Sequence, residues 1–191
     1  MGVKEICVLM GAAMLAGCAH SASPIITSGD RYGTASDTPE SYTLGPGDKV
    51  RLTVFNEPAL SGEFSVSGDG FLSLPLVGEI EATGKTTRAI AGDIAGRLAQ
   101  GYVVSPKVSM EVVAYRPYYI LGEVVRPGRY PYATGMTAIN AIATAEGFSP
   151  RARRGEVRIR RPGEAGETRY KLTPDLRIQP GDTVRLTERY F

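Results

Sequence analysis

Three kinds of side chain in this sequence could do chemistry, and the setting of each narrows what that chemistry can be. The thiol of Cys18 stands directly behind an apolar and small-residue run from Ile6 to Ala16 and ahead of the polar stretch "AHSAS". A thiolate is a nucleophile, and the small residues Leu15-Ala16-Gly17 let the backbone before it lie extended in an enzyme groove. The single histidine, His20, sits two residues further on with no apolar neighbours to form a pocket, which argues against a Ser-His or Cys-His nucleophile. No group of His, Cys and acidic residues has metal-ligand spacing. Asp69 in "SGDGF" is the carboxylate best placed for glycoside hydrolysis, but its flanking glycines make it a turn residue. The third kind is the arginine cluster "RARRGEVRIRRPG". Alternation turns Val157 and Ile159 inward and Arg158 and Arg160 outward, beside Arg151, Arg153, Arg154 and Arg161. Guanidinium forks suit carboxylates through bidentate contacts. The same arginines also fit a plain solvated strand or a contact with a neighbouring subunit.

The segment that presents Cys18 has the charged start, apolar middle and small-residue exit of a secretory signal, with Lys4 as the charge. It is too short to remain as a membrane span, which takes about 20 apolar residues. "LAGC" resembles the bacterial lipobox, in which the bond before the cysteine is cut and the cysteine carries diacylglyceryl and fatty acyl (palmitate-type) chains. Residues 1–17 are therefore expected to be a lipoprotein signal and Cys18 a lipid attachment point, held by more than one chain because one alone anchors only marginally. Cys7 would leave with the signal, so the mature chain would have no disulfide. The net charge of +2 does not describe a nucleic-acid binder. From 18 to 41 the chain is rich in Ser, Thr, Gly, Pro and Asp and is predicted to be a structureless, lipidated tether.

Two folded modules are predicted beyond it, at 42–115 and 116–191. In "YTLGPGDKVRLTVF", Pro46-Gly47 is a turn, and Val50, Leu52 and Val54 alternate with polar residues as in a half-buried strand. Further strands read at "EFSVS", "FLSLPLVGEIEA" and "KVSMEVVAY". Between the last two, Ile90, Ile94, Leu98 and Tyr102 recur at helical spacing behind an N-cap at Thr86 or Thr87. The second module reads as "PYYILGEVVRPGRYPY" with a Pro127-Gly128 turn, then a helix capped by Thr137 with Ile139 and Ile142 facing inward, then "EVRIRR", "ETRYKL" and "DTVRLTERY". The fold class is α+β, with two small sheet-based domains, the second of the β-grasp kind. "PGDKVRLT" and "PGDTVRLT" echo one another, which turn chemistry explains more readily than duplication because no second block repeats at that offset.

"YTLGPGDKVRLTVF", "VSGDGFLSLPLVGEIEATGKT" and "SPKVSMEVV" together resemble the N-terminal domain of bacterial outer-membrane polysaccharide export lipoproteins. "YYILGEVVRPGRYPY" with "TAINAIATAEGFSPRA" is similar to the soluble-ligand-binding β-grasp domain that follows it in that family. The resemblance implies a lipid-anchored, periplasm-facing protein at the outer membrane. Its copies would form a ring that passes capsular or extracellular polysaccharide outward and docks on an inner-membrane co-polymerase, often a tyrosine kinase. It implies no cofactor and no enzymatic activity. The family's helix exit is usually Ala-Gly-Gly, whereas this chain has Glu146 at the middle position. Many members carry a further membrane-crossing helix. The sequence ends at Phe191, so the expectation is that a separate outer-membrane β-barrel completes the crossing. The competing expectation is a non-transporting periplasmic adaptor or a glycan- or small-ligand-binding lipoprotein.

Overall fold

In a computed structural model of the chain, the described residues are 24–32 and 42–189. The signal, Cys18 and His20 lie outside them. The first described strand is β1 (Ile25–Ile26), followed by β2 (Lys49–Val54), β3 (Gly62–Ser65), β4 (Phe71–Leu74), β5 (Gly78–Glu81), helix α1 (Thr87–Leu98) and β6 (Val108–Ala114). In β2 the apolar positions Val50, Leu52 and Val54 are buried and their polar neighbours exposed. This alternation fixes the register of the antiparallel sheet β3-β2-β6, because a one-residue slip would turn every apolar side chain to water. On the wet face Arg51 lies between Glu63 (2.7 Å) and Glu111 (2.9 Å), its direct partners on the two flanking strands. β4 and β5 form a separate hairpin.

The side chain of Thr86 caps α1 by accepting from the Ala89 amide. Ile90, Ile94 and Leu98 are buried, each contributing about 1.5–3 kcal/mol on transfer from water. Gly92 and Gly96 weaken the helix by about 1 kcal/mol each relative to Ala, so it depends on that docking. Tyr102, expected on the same stripe, is 57% exposed. The helix stops at Leu98 and the chain turns through Gly101 (φ 113°), which carries the tyrosine off the helical face.

The second module contains β7 (Tyr118–Gly122), β8 (Gly128–Tyr130), α2 (Ala138–Thr144), β9 (Glu156–Arg160), β10 (Thr168–Lys171) and β11 (Thr183–Leu186). Its six-stranded sheet runs β1-β10-β9-β11-β7-β8. The β7–β8 hairpin, the α2 crossing and the return of β11 parallel to β7 make the grasp arrangement. Gly122 permits that return: at φ 87° it lies so close to β11 that a Cβ would fall 2.0 Å from the Leu186 carbonyl oxygen. α2 begins in a reciprocal capping box between Thr137 and Asn140. It buries Ala138, Ala141 and Ile142, whereas Ile139, expected inward, is 38% exposed, since small alanines let the helix sit close on the sheet. The exit takes two left-handed residues, Glu146 (φ 65°) and Gly147 (φ 95°), and Arg126 holds the Glu146 carboxylate at 3.0 Å. The turn forms with one glycine, Gly147, while Glu146 adopts a conformation that glycine would take without strain.

Residues 24–32 correct the expectation of a structureless tether. Ile25 and Ile26 extend the six-stranded sheet by pairing parallel with Arg169 and Tyr170. Arg31, 2% exposed, donates to both carboxylate oxygens of the fully buried Asp182 at 2.7 and 3.3 Å and faces the Tyr170 ring at 5.5 Å. The Tyr32 hydroxyl lies 2.8 Å from the Ile26 carbonyl and 2.9 Å from that of Lys171, which share its one proton. The composition rule counts apolar surface, and this segment is held largely by polar groups instead.

The "PGD" echo is also a structural one. In each turn the aspartate is fully buried, donates its amide to the residue three before it (3.1 Å in both) and accepts that residue's amide on its carboxylate (2.8 Å in both). Each carboxylate then takes an arginine from far along the chain: Asp182 takes Arg31, and Asp48 takes Arg116. Asp48 also accepts from the Tyr42 hydroxyl at 2.6 Å; burial, with the adjacent carboxylate, pushes that phenol's pKa far up and keeps it a donor.

Candidate functional site

α2 and the core cover one face of the six-stranded sheet; the other face is the candidate site. Strand alternation places Val157, Ile159, Tyr118, Ile120 and Val184 in the core and sends the residues between them outward. Register then sets these into two rows. One is Arg169–Arg158–Arg185 across β10, β9 and β11. The other is Arg160–Thr183–Tyr119–Arg129 across β9, β11, β7 and β8.

Six of the arginines singled out in the sequence thus separate into different settings. Arg151 pairs with Glu188 (3.3 Å), Arg153 with Glu156 (3.1 Å) and Arg161 with Asp30 (2.6 Å). Arg154 lies over the Phe148 ring at 5.5 Å. Arg158 and Arg160 do face outward from β9, and among the described residues neither has a carboxylate within ion-pair distance. The Nε of Arg158 is buried without a hydrogen-bond partner there. Arg169 and Arg185 beside it are engaged with Glu156 (2.7 Å) and Glu167 (2.6 Å).

Glu156 is the electrostatic keystone of the first row. Burial alone would push its carboxyl up, but Arg169 and then Arg153 outweigh burial and hold it below the ordinary range. A carboxyl depressed on folding adds stability that is full above its unfolded pKa, about 4.3, and is lost as pH falls through the lower folded value. Thermal melts of the wild type should therefore fall off below about pH 4.3. Glu156→Gln should melt lower at pH 7 and show a shallower acid slope; parallel curves for the two proteins would contradict this.

Tyr119 and Arg129 were not legible as site residues. Alternation says that one of Tyr118 and Tyr119 faces out. That the outward one shares a row with Arg160 follows only from the parallel β7–β11 pairing. Tyr119 is 44% exposed, and Arg129, opposite it, has no carboxylate partner among the described residues. Asp69 is an exposed turn residue. Among the described residues no group of His, Cys, Asp and Glu could hold a metal ion, and no helix is long and apolar enough to cross a membrane.

Residues 36–113 match the family model described as "Polysaccharide biosynthesis/export protein", and residues 117–173 match the SLBB domain. Over these two stretches the chain is similar to the polysaccharide export protein family. It is 37% identical over 121 residues to the exopolysaccharide production protein ExoF of Rhizobium meliloti (strain 1021), a match covering 57% of this chain and 29% of that protein. It is 25% identical over 126 residues to the polysialic acid transport protein KpsD of Escherichia coli, covering 65% of this chain and 22% of the relative. The chain thus spans less than a third of the length of these curated relatives. The family is described by polysaccharide biosynthesis and export, and the two relatives are named for exopolysaccharide production and polysialic acid transport, none of them for an enzymatic activity. In this chain the β9 arginines fall within the SLBB match, as do Tyr119 and Arg129. Asp182 and β11, which complete the sheet, lie beyond its last matched residue.

Proposed function

We propose that this protein is a lipid-anchored subunit, facing the periplasm at the outer membrane, of an oligomeric conduit that exports capsular or extracellular polysaccharide without covalent chemistry. The observation that carries the reading is the succession of an export-family module and an SLBB module in one chain, joined to relatives named for exopolysaccharide production and polysialic acid transport. Physical chemistry supports it. A hydrated polymer moves along a wall only if its contacts are many, weak and replaceable, and a polar sheet face offers such contacts. Copies of the chain would build the wall, and an inner-membrane co-polymerase, of the tyrosine-kinase kind, would feed it.

Acylation of Cys18 would give the conduit a defined height. Pro24 is six residue steps beyond Cys18, and an extended chain reaches about 3.4 Å per step, so the start of the described chain, next to the β1 edge of the six-stranded sheet, would stand within about 20 Å of the lipid. The test is a deletion strain assayed for surface and released polysaccharide, complemented with the wild type or with Cys18→Ser. The deletion is expected to trap polymer inside the cell, the wild type to restore export, and Cys18→Ser to leave the outer-membrane fraction and restore little. Undiminished secretion by the deletion strain would remove the proposal. A protein that stays monomeric at every concentration would favour an adaptor over a conduit.

A further inference from the structure

From the row Arg160–Thr183–Tyr119–Arg129 we infer a binding site for an acidic sugar polymer, in which the Tyr119 ring stacks on a pyranose and the two flanking arginines take carboxylates. The inference rests on the export reading, since it names the class of polymer that reading moves. Its basis is the juxtaposition on the outer face of the six-stranded sheet. Four strands contribute one residue each, in register, and three interstrand spacings give the row a length of about 14 Å.

Three observations select an acidic sugar. Tyr119 is a large aromatic left 44% exposed on a face made mostly of charged and hydroxyl side chains, with Leu121 and Ile25 in the neighbouring row. The electron-rich face of its ring attracts the C–H face of a pyranose, as it attracts other positively polarised edges. The arginines at the two ends, Arg160 and Arg129, have no carboxylate within ion-pair distance among the described residues, while most neighbouring arginines have one. Their forks are open to a carboxylate and geometrically suited to it. Thr183, between Arg160 and Tyr119, supplies a hydroxyl for ring oxygens and hydroxyls of the sugar. The excess of Arg129, Arg158, Arg160, Arg169 and Arg185 over Glu156 and Glu167 on this face makes it complementary to a polyanion. A neutral chain would gain only single hydrogen bonds to hydroxyls from those guanidinium groups and no ion pair, and a flat polyanion without C–H faces would gain nothing from the ring.

The test is calorimetric titration of the full chain, purified in detergent, with oligogalacturonate, with a neutral dextran oligomer and with polyglutamate. Oligogalacturonate should bind best. Arg160→Ser should weaken it roughly tenfold and Arg129→Ser with Arg160→Ser on the order of a hundredfold, since each charge-assisted contact is worth about a decade or more. Tyr119→Ser should weaken it severalfold while Tyr119→Phe retains binding, and Lys49→Ser on the other module should change nothing. Circular dichroism checks that each variant is folded; all substituted sites are exposed. Equal binding of polyglutamate, indifferent to Tyr119, would reduce the face to a generic counterion surface and overturn the inference, as would no binding by folded protein. Dissociation of assembled copies by Arg160→Ser would also overturn it, by making a second copy the occupant. The export reading fails separately: a deletion strain that still secretes would remove it even if the binding results hold.

Discussion

Asp182→Ala is expected to lower stability by about 3–5 kcal/mol, the usual cost of breaking a buried ion pair from one side. For a chain of this size that is a fall in Tm on the order of 10 °C. Two losses combine. The Gln179 amide loses the acceptor that closes the turn, and Arg31, 2% exposed, loses both carboxylate oxygens and keeps the Arg177 carbonyl at 3.3 Å as an acceptor. Arg31 can escape to water only if residues 24–32 peel from the sheet edge. Arg31→Ala should cost a similar amount for the opposite reason, leaving a fully buried carboxylate with the Gln179 amide as its remaining neutral donor. If the two residues act as one device, the double variant should lose scarcely more than either single one. Trypsin offers a second readout, because Arg31 is shielded in the wild type and should become a cleavage site in Asp182→Ala. Two single variants that each lose under about 1 kcal/mol, with Arg31 still protected, would show that the clasp contributes only what a surface pair does. The functional consequence depends on the proposed anchor. With the clasp open, the tether would lengthen from the six residues before Pro24 to the whole of 18–41, and the module would no longer be held at a fixed height above lipid.

The limits of the sequence reading have the same physical origin as this prediction. Where a segment is stabilised by burying its own alternating or helically spaced apolar residues, pattern alone identified it: Val50-Leu52-Val54 in β2 and Ile90-Ile94-Leu98 in α1 are buried as spaced. Where the stabilising partner lies far along the chain, pattern failed. Ile25 and Ile26 are too few to signal a strand, and β1 exists because β10 offers an open edge and Asp182 accepts Arg31. Ile139 is expected inward together with Ile142, but alanines at 138 and 141 are what allow close approach, and Ile139 stays partly exposed. The arginine cluster showed its outward members correctly at Arg158 and Arg160. Which of the others would be neutralised depended on Glu156, three residues from Arg153, and on Glu188 and Asp30, which lie far along the chain from Arg151 and Arg161. The candidate site was half legible for the same reason: β9 carried its own signal, whereas Tyr119 and Arg129 join it only through the sheet order.

Arg116→Ala is expected to uncouple the two modules while leaving each folded. The residue lies in the three-residue link between β6 and β7, and its groups reach both ways. Its amide donates to Asp48 Oδ1 at 2.7 Å and its Nη1 to Oδ2 at 3.3 Å, within the first module; its Nε donates to the Pro180 carbonyl at 3.0 Å, in the second. Both proline-glycine turns are shaped around this one side chain. A Cβ on Gly45 would fall 1.8 Å from Nη1, and one on Gly181 would fall 2.9 Å from Nε. After truncation Asp48 still accepts the Gly45 amide, the Tyr42 hydroxyl and the Arg116 backbone amide, so the first module should lose only about 1–2 kcal/mol. What disappears is the side-chain bond to Pro180, leaving the half-exposed Tyr42–Tyr115–Tyr132 contacts, at 4.9 and 5.6 Å between centroids, and the Thr134 hydroxyl, which donates to that of Tyr115 at 3.3 Å, to hold the angle between modules. Small-angle scattering should show a broadened distribution of dimensions. Arg116→Lys should not rescue it, because an ammonium cannot reach Asp48 and Pro180 together as a fork does. Gly45→Ala should reproduce the effect by displacing the guanidinium, and adding it to Arg116→Ala should do little more. A wall assembled from many copies requires the same angle in each, so under the export reading these substitutions should impair assembly and secretion more than they impair stability. Scattering unchanged in both single variants would mean that the tyrosines alone fix the angle, and the arginine would then be a cap on the first turn and nothing more.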